Sequence, residues 1–189
     1  MSSPTCLGRT FIGGLAAMSL GAAPARGGEV RMRAREHYEV LQIATPGGAA
    51  AYRGFTNTIV LWYEEPYRFA CGIAGSPLFA TLGASSPPQG FDDRIRLVHA
   101  GVEGKWFPLA DGPSLSHGFL RLGGYNATLD TRGDAGRESG WSALAGLGFE
   151  FPIGVVGLAP EMDWRYGHLA SGTRLHGIAP AVGVHFYKM

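Results

Sequence analysis

The chain holds only two cysteines, Cys6 and Cys71. Two such distant residues exclude a disulfide framework and a cysteine-based metal site. Charge of either sign is not in excess: 16 Lys and Arg stand against 15 Asp and Glu, a formal net charge of +1. No basic field is present to attract nucleic acid. After the first 20 residues no apolar run approaches the ~20 residues that a membrane-spanning helix needs. Gly-x-Ser-x-Gly, His-Glu-x-x-His, a phosphate-binding glycine loop and paired cysteine motifs are all missing. His99, His117 and His176 lack metal-ligand spacing. Asp130, Asp134 and Glu138 share one loop segment and could hold a divalent cation, but loop acids are ordinarily just solvated. No cofactor and no metal are expected.

What is present begins with an export signal. Arg9 supplies a positive start, 10–20 (TFIGGLAAMSL) is a short apolar segment, and Ala23-Pro24-Ala25 is a cleavage site of the A-x-A type. Residues 1–25 are therefore read as a signal peptide and 26–189 as one domain. Cys71 is then the lone cysteine of the exported part.

From Ser139 to Tyr187 apolar residues alternate with small or charged ones. Trp141, Ala143, Ala145, Leu147, Phe149 and Phe151 share one parity; Val156, Leu158, Pro160, Met162, Trp164 and Tyr166 share another against Glu161, Asp163 and Arg165. A period of two marks strands with two unlike faces. A soluble sandwich would bury the apolar face, whereas an outer-membrane barrel would turn it to lipid and turn the polar face to its lumen. Strands are expected near 35–45, 55–63, 66–81, 94–107, 116–127, 139–151, 156–169 and 176–187. That is an all-β, eight-stranded antiparallel transmembrane β-barrel. Polar, Gly- and Pro-rich stretches at 45–54, 83–93 and 128–138 read as longer external loops, and the remaining connections as short periplasmic turns.

The aromatics fall near strand ends. Trp62, Tyr63, Tyr67, Phe69, Trp106, Phe107, Phe119, Phe149, Phe151, Phe186 and Tyr187 lie toward the short turns, and Phe55, Phe79, Tyr125, Trp141, Trp164 and Tyr166 toward the other end. Two belts at that spacing are what the two bilayer interfaces select. Parity points Arg68, Glu103, Lys105, Arg121, Glu150, Glu161, Asp163, Arg165 and His185 into the lumen. Eight strands leave room for side chains and not for a channel, so these charges must pair. Gly72, Gly101, Gly123, Gly146, Gly148, Gly157 and Gly183 are expected to make room for them.

With those strands in place, GVEGKWF at 101–107, GLGFEFP at 146–152 and GVHFYKM at 183–189 make the chain resemble the small eight-stranded outer-membrane β-barrel proteins. The resemblance implies residence in the bacterial outer membrane, contact with its lipid and lipopolysaccharide, and insertion by the barrel-assembly machinery. The last hairpin is also similar to the outer-membrane lipid A 3-O-deacylases, through RYGH at 165–168, Gly177-Ile178 and Phe186-Tyr187-Lys188. That family carries a Ser-His-Glu triad on its outer wall, with the histidine opening a His-x-Ser-Asn motif. His168 matches the histidine. Ala170 stands where the nucleophile belongs, Ser171 comes one residue late, and Ala179 replaces the acid. The functional expectation is a structural or interaction barrel, porin-like in shape but plugged, with external loops as contact surface. A lipid A acyl hydrolase with His168 and Ser171 in its site, or a narrow solute pore, are the alternatives.

Overall fold

The computed structural model describes residues 29–65, 69–76, 80–108, 117–131, 136–153 and 156–186. The proposed signal peptide, Arg68, Tyr67, Phe79 and Tyr187 lie outside the described residues, as do the side chains of His185 and Phe186. Nine strands run in chain order: β1 (Glu29–Thr45), β2 (Gly48–Glu65), β3 (Phe69–Gly75), β4 (Ala80–Gly83), β5 (Arg94–Trp106), β6 (His117–Thr131), β7 (Arg137–Ile153), β8 (Val156–Leu169) and β9 (Arg174–Phe186). All pairings are antiparallel, and β1 pairs with both β2 and β9, so the sheet closes on itself. A single closed sheet, not two packed ones, disposes of the soluble sandwich.

The expected strand at 66–81 is two strands, β3 and β4, which share one stave of the barrel. Both lie between β2 and β5. Gly75 pairs with Ala100 and Ala80 with Leu97, so five steps on one side meet three on the other and the register shifts by two. The eight staves are thus β1, β2, β3 with β4, and β5 to β9.

The expected loop at 45–54 is mostly strand. Thr45 already pairs with Gly48, leaving Pro46-Gly47 as a two-residue turn. Gly48 has φ +140°, a region that favours glycine. Small residues at 49–51 read as loop, yet the register of β1 carries straight through them. The loop at 128–138 contracts likewise, because β6 runs to Thr131 and β7 starts at Arg137. The expected contrast of long external and short periplasmic connections is therefore weak.

Passing from residue to paired residue around the ring, Val40, Ile178, Trp164, Ala145, Leu122, Gly104, Cys71 and Tyr63 lead back to Val30 on β1, ten residues from the start. This stagger fixes the tilt of the staves. Each step around the ring lowers the level by about one and a quarter residues, which allows side chains on different staves to be compared by depth. Below, the upper rim is the end carrying the β1–β2 and β8–β9 turns.

The outer wall is apolar over its middle. Ile73 is 70% and Leu122 69% exposed, with Ile59, Leu61, Leu147, Ile178 and Val182 also outward. So much contiguous apolar surface is foreign to a soluble monomer. Phe69, Trp106, Phe149 and Phe151 ring the lower part, and Tyr38, Phe55, Trp141 and Tyr166 the upper part. Trp62, Phe107, Phe119 and Tyr125, expected in those belts, are instead buried inside. Strand-end position alone does not settle an aromatic; its parity decides whether it meets lipid or lumen.

Candidate functional site

The interior is filled in layers. At the lower end Lys105 pairs with Glu150, and its Nζ lies 4.2 Å from the Phe119 ring centroid and 4.6 Å from that of Phe107. A cation over an aromatic face is held by the ring quadrupole. Above this, Arg33 pairs with Glu161, Arg35 with Glu103, and Arg121 with both Glu161 and Asp163. The Tyr125 hydroxyl donates to Glu103. Higher still, Arg165 Nε lies 2.8 Å from Glu39 Oε1, and His37 Nδ1 3.4 Å from Asp163 Oδ2. His99 completes that layer: Arg165 Nη1 and Ser76 Oγ lie 3.2 and 2.9 Å from its Nδ1, and Thr58 Oγ1 lies 3.2 Å from its Nε2. A guanidinium only donates, so Nδ1 accepts and the ring proton sits on Nε2, toward Thr58.

Sequence reasoning named Glu103, Lys105, Arg121, Glu150, Glu161, Asp163 and Arg165; all seven are buried and paired. It missed Arg33, Arg35, His37 and Glu39 on β1, and His99 on β5. Their parity was available: Arg33, Arg35, His37 and Glu39 alternate with outward residues and continue into buried Leu41 and Ile43. Arg35, His37 and Glu39 fall within the expected strand at 35–45 on the parity of Leu41 and Ile43, and only Arg33 falls before its start. Among the described residues the interior holds five cations (Arg33, Arg35, Lys105, Arg121, Arg165) and five anions (Glu39, Glu103, Glu150, Glu161, Asp163).

Three of the glycines act as expected. A Cβ on Gly146 would strike the Asp163 carboxylate, one on Gly183 the Arg33 guanidinium, and one on Gly148 the Phe119 ring and Glu161. Gly123 makes room for the Tyr125 ring instead of a charge. Gly72 and Gly101 serve the backbone instead. A Cβ on either would strike the Leu61 or the Gly124 carbonyl, so these glycines permit neighbouring strands to approach closely.

The upper third of the interior is apolar, which was not foreseen. Leu41, Ile43, Tyr52, Leu82, Ile95, Leu97, Leu129, Leu169 and Leu175 form one buried cluster beneath the upper rim. The Tyr52 hydroxyl reaches out of it to the Asp92 carbonyl at 2.8 Å. This cap separates the charged layers from the loops.

The outer wall changes character just above the upper aromatic ring. Arg53 pairs in register with Gly83 and Gly83 with Arg94, while Arg96 pairs with Asp130 and Asp130 with Arg137. His168 pairs with Arg174. All these charged residues are exposed and outward. Stagger-corrected, Arg53, Arg96, His168 and Arg174 fall within about two residues of one level.

His168 and Ser171, the candidates of a deacylase site, are not joined as a catalytic pair. His168 faces outward beside Trp141 of β7. Ser171 lies in the β8–β9 turn, where its Oγ donates to Glu138 Oε2 (2.6 Å) and meets Thr173 Oγ1 at 2.8 Å. A nucleophile needs a base on its hydroxyl, and here an acid and a second hydroxyl occupy it. Ala179 is buried in the interior, so an acid at that position would point away from His168. Of the acidic loop cluster, Asp130 opposes Arg137 and Glu138 is engaged by Ser171; Asp134 lies outside the described residues. No cluster of potential metal ligands occurs among the described residues.

No family model and no curated protein matches the chain in sequence. Solved structures do match in shape. Neisserial surface protein A superposes with a TM-score of 0.59 at 15% identity, covering 86% of this chain and 100% of that one. Ail, the attachment invasion locus protein of Yersinia pestis, gives 0.45 at 16% identity over 84% of this chain and 99% of its own. The outer membrane protein OprG from Pseudomonas aeruginosa gives 0.47 at 9% identity over 84% and 95%. At such identities the likeness speaks to the fold. With its ring closed, its wall apolar and its interior filled by ion pairs, the chain has the fold of the small eight-stranded outer-membrane β-barrel proteins.

Proposed function

We propose that this chain is an interaction-type barrel of the bacterial outer membrane, held in the outer leaflet by lipopolysaccharide and meeting its ligands at the upper rim. The observation that carries this reading is the row of exposed arginines (Arg53, Arg94, Arg96, Arg137, Arg174) directly above the upper aromatic ring. Aromatic side chains mark the level where acyl chains end. Cations about two to five residues higher, Arg53 and Arg96 lowest and Arg94 and Arg137 highest, stand where phosphate groups of the outer leaflet lie. Asp130 is shared between Arg96 and Arg137 and weakens that stretch; Arg53 and Arg94 flank Gly83, whose lack of a side chain leaves space between them. The filled interior supports the same reading, because a capped lumen leaves the outer wall and loops as the accessible surface.

The test is binding of lipopolysaccharide to the purified barrel in detergent, compared with enzymatically dephosphorylated lipopolysaccharide. Each arginine near an anionic surface contributes ~1 kcal/mol, so Arg53→Ala, Arg94→Ala and Arg96→Ala combined should weaken binding roughly a hundredfold. Equal affinity of the triple variant, or of the dephosphorylated lipid, would refute the phosphate reading. Recovery of the intact protein as a soluble periplasmic monomer would refute the membrane location itself.

A further inference from the structure

One ionisable side chain stands where the wall meets hydrocarbon. Glu36 of β1 is exposed and shares outward parity with Met32, Ala34 and Tyr38. Its register partners are Asn57 on β2 and Val182 on β9. After correction for stagger, Glu36 lies about three residues below the upper aromatic ring, two below Tyr38 on its own strand, and about five above the lower one. Each residue is worth ~2.5 Å of depth, given a rise of ~3.3 Å and a tilt of ~40°. The Glu36 backbone is therefore ~8 Å below the upper interface and ~12 Å above the lower one, farther than a glutamate side chain extends. It cannot reach the headgroups as a long lysine or arginine does.

Neither Glu36 nor Asn57 makes a side-chain hydrogen bond or ion pair with any described residue, and Asn57 Oδ1 is buried with no partner. Acyl chains supply neither donors nor acceptors, so polar groups at this depth go unsatisfied unless protein meets them. An ionisable residue facing the membrane interior marks a functional contact on those grounds.

We propose that Glu36 and Asn57 form the centre of a lateral self-association site, occupied by a second copy of this chain. The geometry selects that occupant. A twofold axis running along the β1–β2 seam, parallel to the barrel axis, sets β1 of each copy against β2 of the other. Each Glu36 carboxyl then faces the other copy's Asn57 amide, and one pair of residues yields two equivalent hydrogen bonds, as an isologous interface requires. Depth agrees as well. Glu36 and Asn57 differ by about one and a quarter residues, or ~3 Å, so two copies standing upright in one bilayer bring them level. Ala34, one outward position below Glu36, is small and permits close approach. Above the pair, the Tyr38 and Phe55 rings meet edge to face at 5.3 Å and bound the seam.

The experiment measures dimerisation by energy transfer between labelled barrels in liposomes, across a range of protein-to-lipid ratios, in a Cys71→Ala background. The parent should associate. Glu36→Leu and Asn57→Leu should each lower the association constant roughly tenfold, because both hydrogen bonds are lost and each is worth ~0.6–1.7 kcal/mol in a membrane. The exchange variant, Glu36→Asn with Asn57→Glu, should restore association, since the twofold axis needs only an acid opposite an amide. Heat-modifiable migration checks that every variant is folded. As a second measurement, barrels carrying Ala34→Cys mixed with barrels carrying Ile59→Cys should cross-link, and each population alone should not. A parent that stays monomeric at every ratio overturns the proposal. So does a dimer whose affinity neither leucine variant moves.

Discussion

Replacing Arg121 by leucine tests whether the barrel interior is a dry ion-pair network. Arg121 is among the largest fully buried side chains. It pairs with Asp163 and Glu161, and its Nε lies 3.9 Å from Glu103 Oε2. Without it Glu161 keeps Arg33 and Glu103 keeps Arg35, but Asp163 retains only His37 at 3.4 Å. The described interior passes from five cations and five anions to four and five. Breaking a buried pair by removing one partner costs ~3–5 kcal/mol, because the remaining charge is left uncompensated. That is roughly two to three orders of magnitude in the unfolding equilibrium.

A double variant separates charge from packing. Arg121→Leu with Asp163→Leu returns the described interior to four and four. Apolar replacement of a whole buried pair is often neutral, so the double variant should regain most of the loss, short of ~1–2 kcal/mol for imperfect repacking. Urea unfolding in lipid vesicles, followed by tryptophan fluorescence and by heat-modifiable migration, gives both midpoint and slope. If Arg121→Leu unfolds within ~0.5 kcal/mol of the parent, water already screens the pair and the dry interior is wrong. If the double variant is less stable than the single, packing and not charge dominates.

Three further outcomes are expected. Val182→Arg, on the apolar outer wall near mid-depth, should destabilise the barrel in lipid by ~2–4 kcal/mol, while Ala181→Arg, its buried neighbour, should fail by crowding; equal folding of Val182→Arg and parent would contradict the outward assignment. Single-channel recordings in planar bilayers should show negligible conductance, because the charged layers and the Leu-rich cap both lie across the lumen; large stable currents from the parent would contradict the plugged interior. Purified barrel should release no 3-hydroxy fatty acid from lipid A micelles, with no change on His168→Ala or Ser171→Ala, since the Ser171 hydroxyl is held by Glu138; release abolished by both substitutions would restore the deacylase reading.

Much of the fold was legible because alternation is a local signal. The parity of Glu161, Asp163 and Arg165 against Met162, Trp164 and Tyr166 does not depend on where the strand ends fall, and all three charges are buried. Features that depend on what lies opposite were not legible. The Ala49-Ala50-Ala51 stretch becomes strand only because β1 offers it a continuous register, and no property of three alanines announces that. The break between β3 and β4 appears only when β2 and β5 are both in view. Trp62, Phe107 and Phe119 sit near strand ends, and Tyr125 near the end of its expected strand at 116–127 although β6 runs on to Thr131, so all four looked interfacial; Lys105 and Arg165 meet three of them inside by cation–π contact. Of the missed β1 residues only Arg33 lies before the expected start of that strand; Arg35, His37 and Glu39 lie within 35–45, and their inward parity is seen when they are read together with Leu41 and Ile43.

The division of labour between the two faces follows from how each is satisfied. Inside, every described charged side chain has a partner of opposite sign, glycines make space for the long ones, and an apolar cap closes the top. Each charge thus has a counter-charge, although several interior polar atoms, among them both His37 ring nitrogens, the Thr56 hydroxyl and the Ser142 hydroxyl, have no hydrogen-bond partner among the described residues. Outside, the rule that lipid-facing residues are apolar holds along most of each stave and fails at two levels. It fails in a row at the upper rim, where Arg53, Arg94, Arg96, Arg137 and Arg174 stand above the aromatics at a height suited to phosphate. It fails again at mid-depth, at Glu36 and Asn57, which share one seam. A side chain that violates the solvent it faces must either be offset by a partner or carry a cost in stability. In the function proposed above the arginines meet that condition at the membrane surface. The mid-depth pair, although Glu36 and Asn57 are register partners, makes no side-chain hydrogen bond with any described residue of its own chain, which is why the β1–β2 seam is where association with another barrel is to be sought.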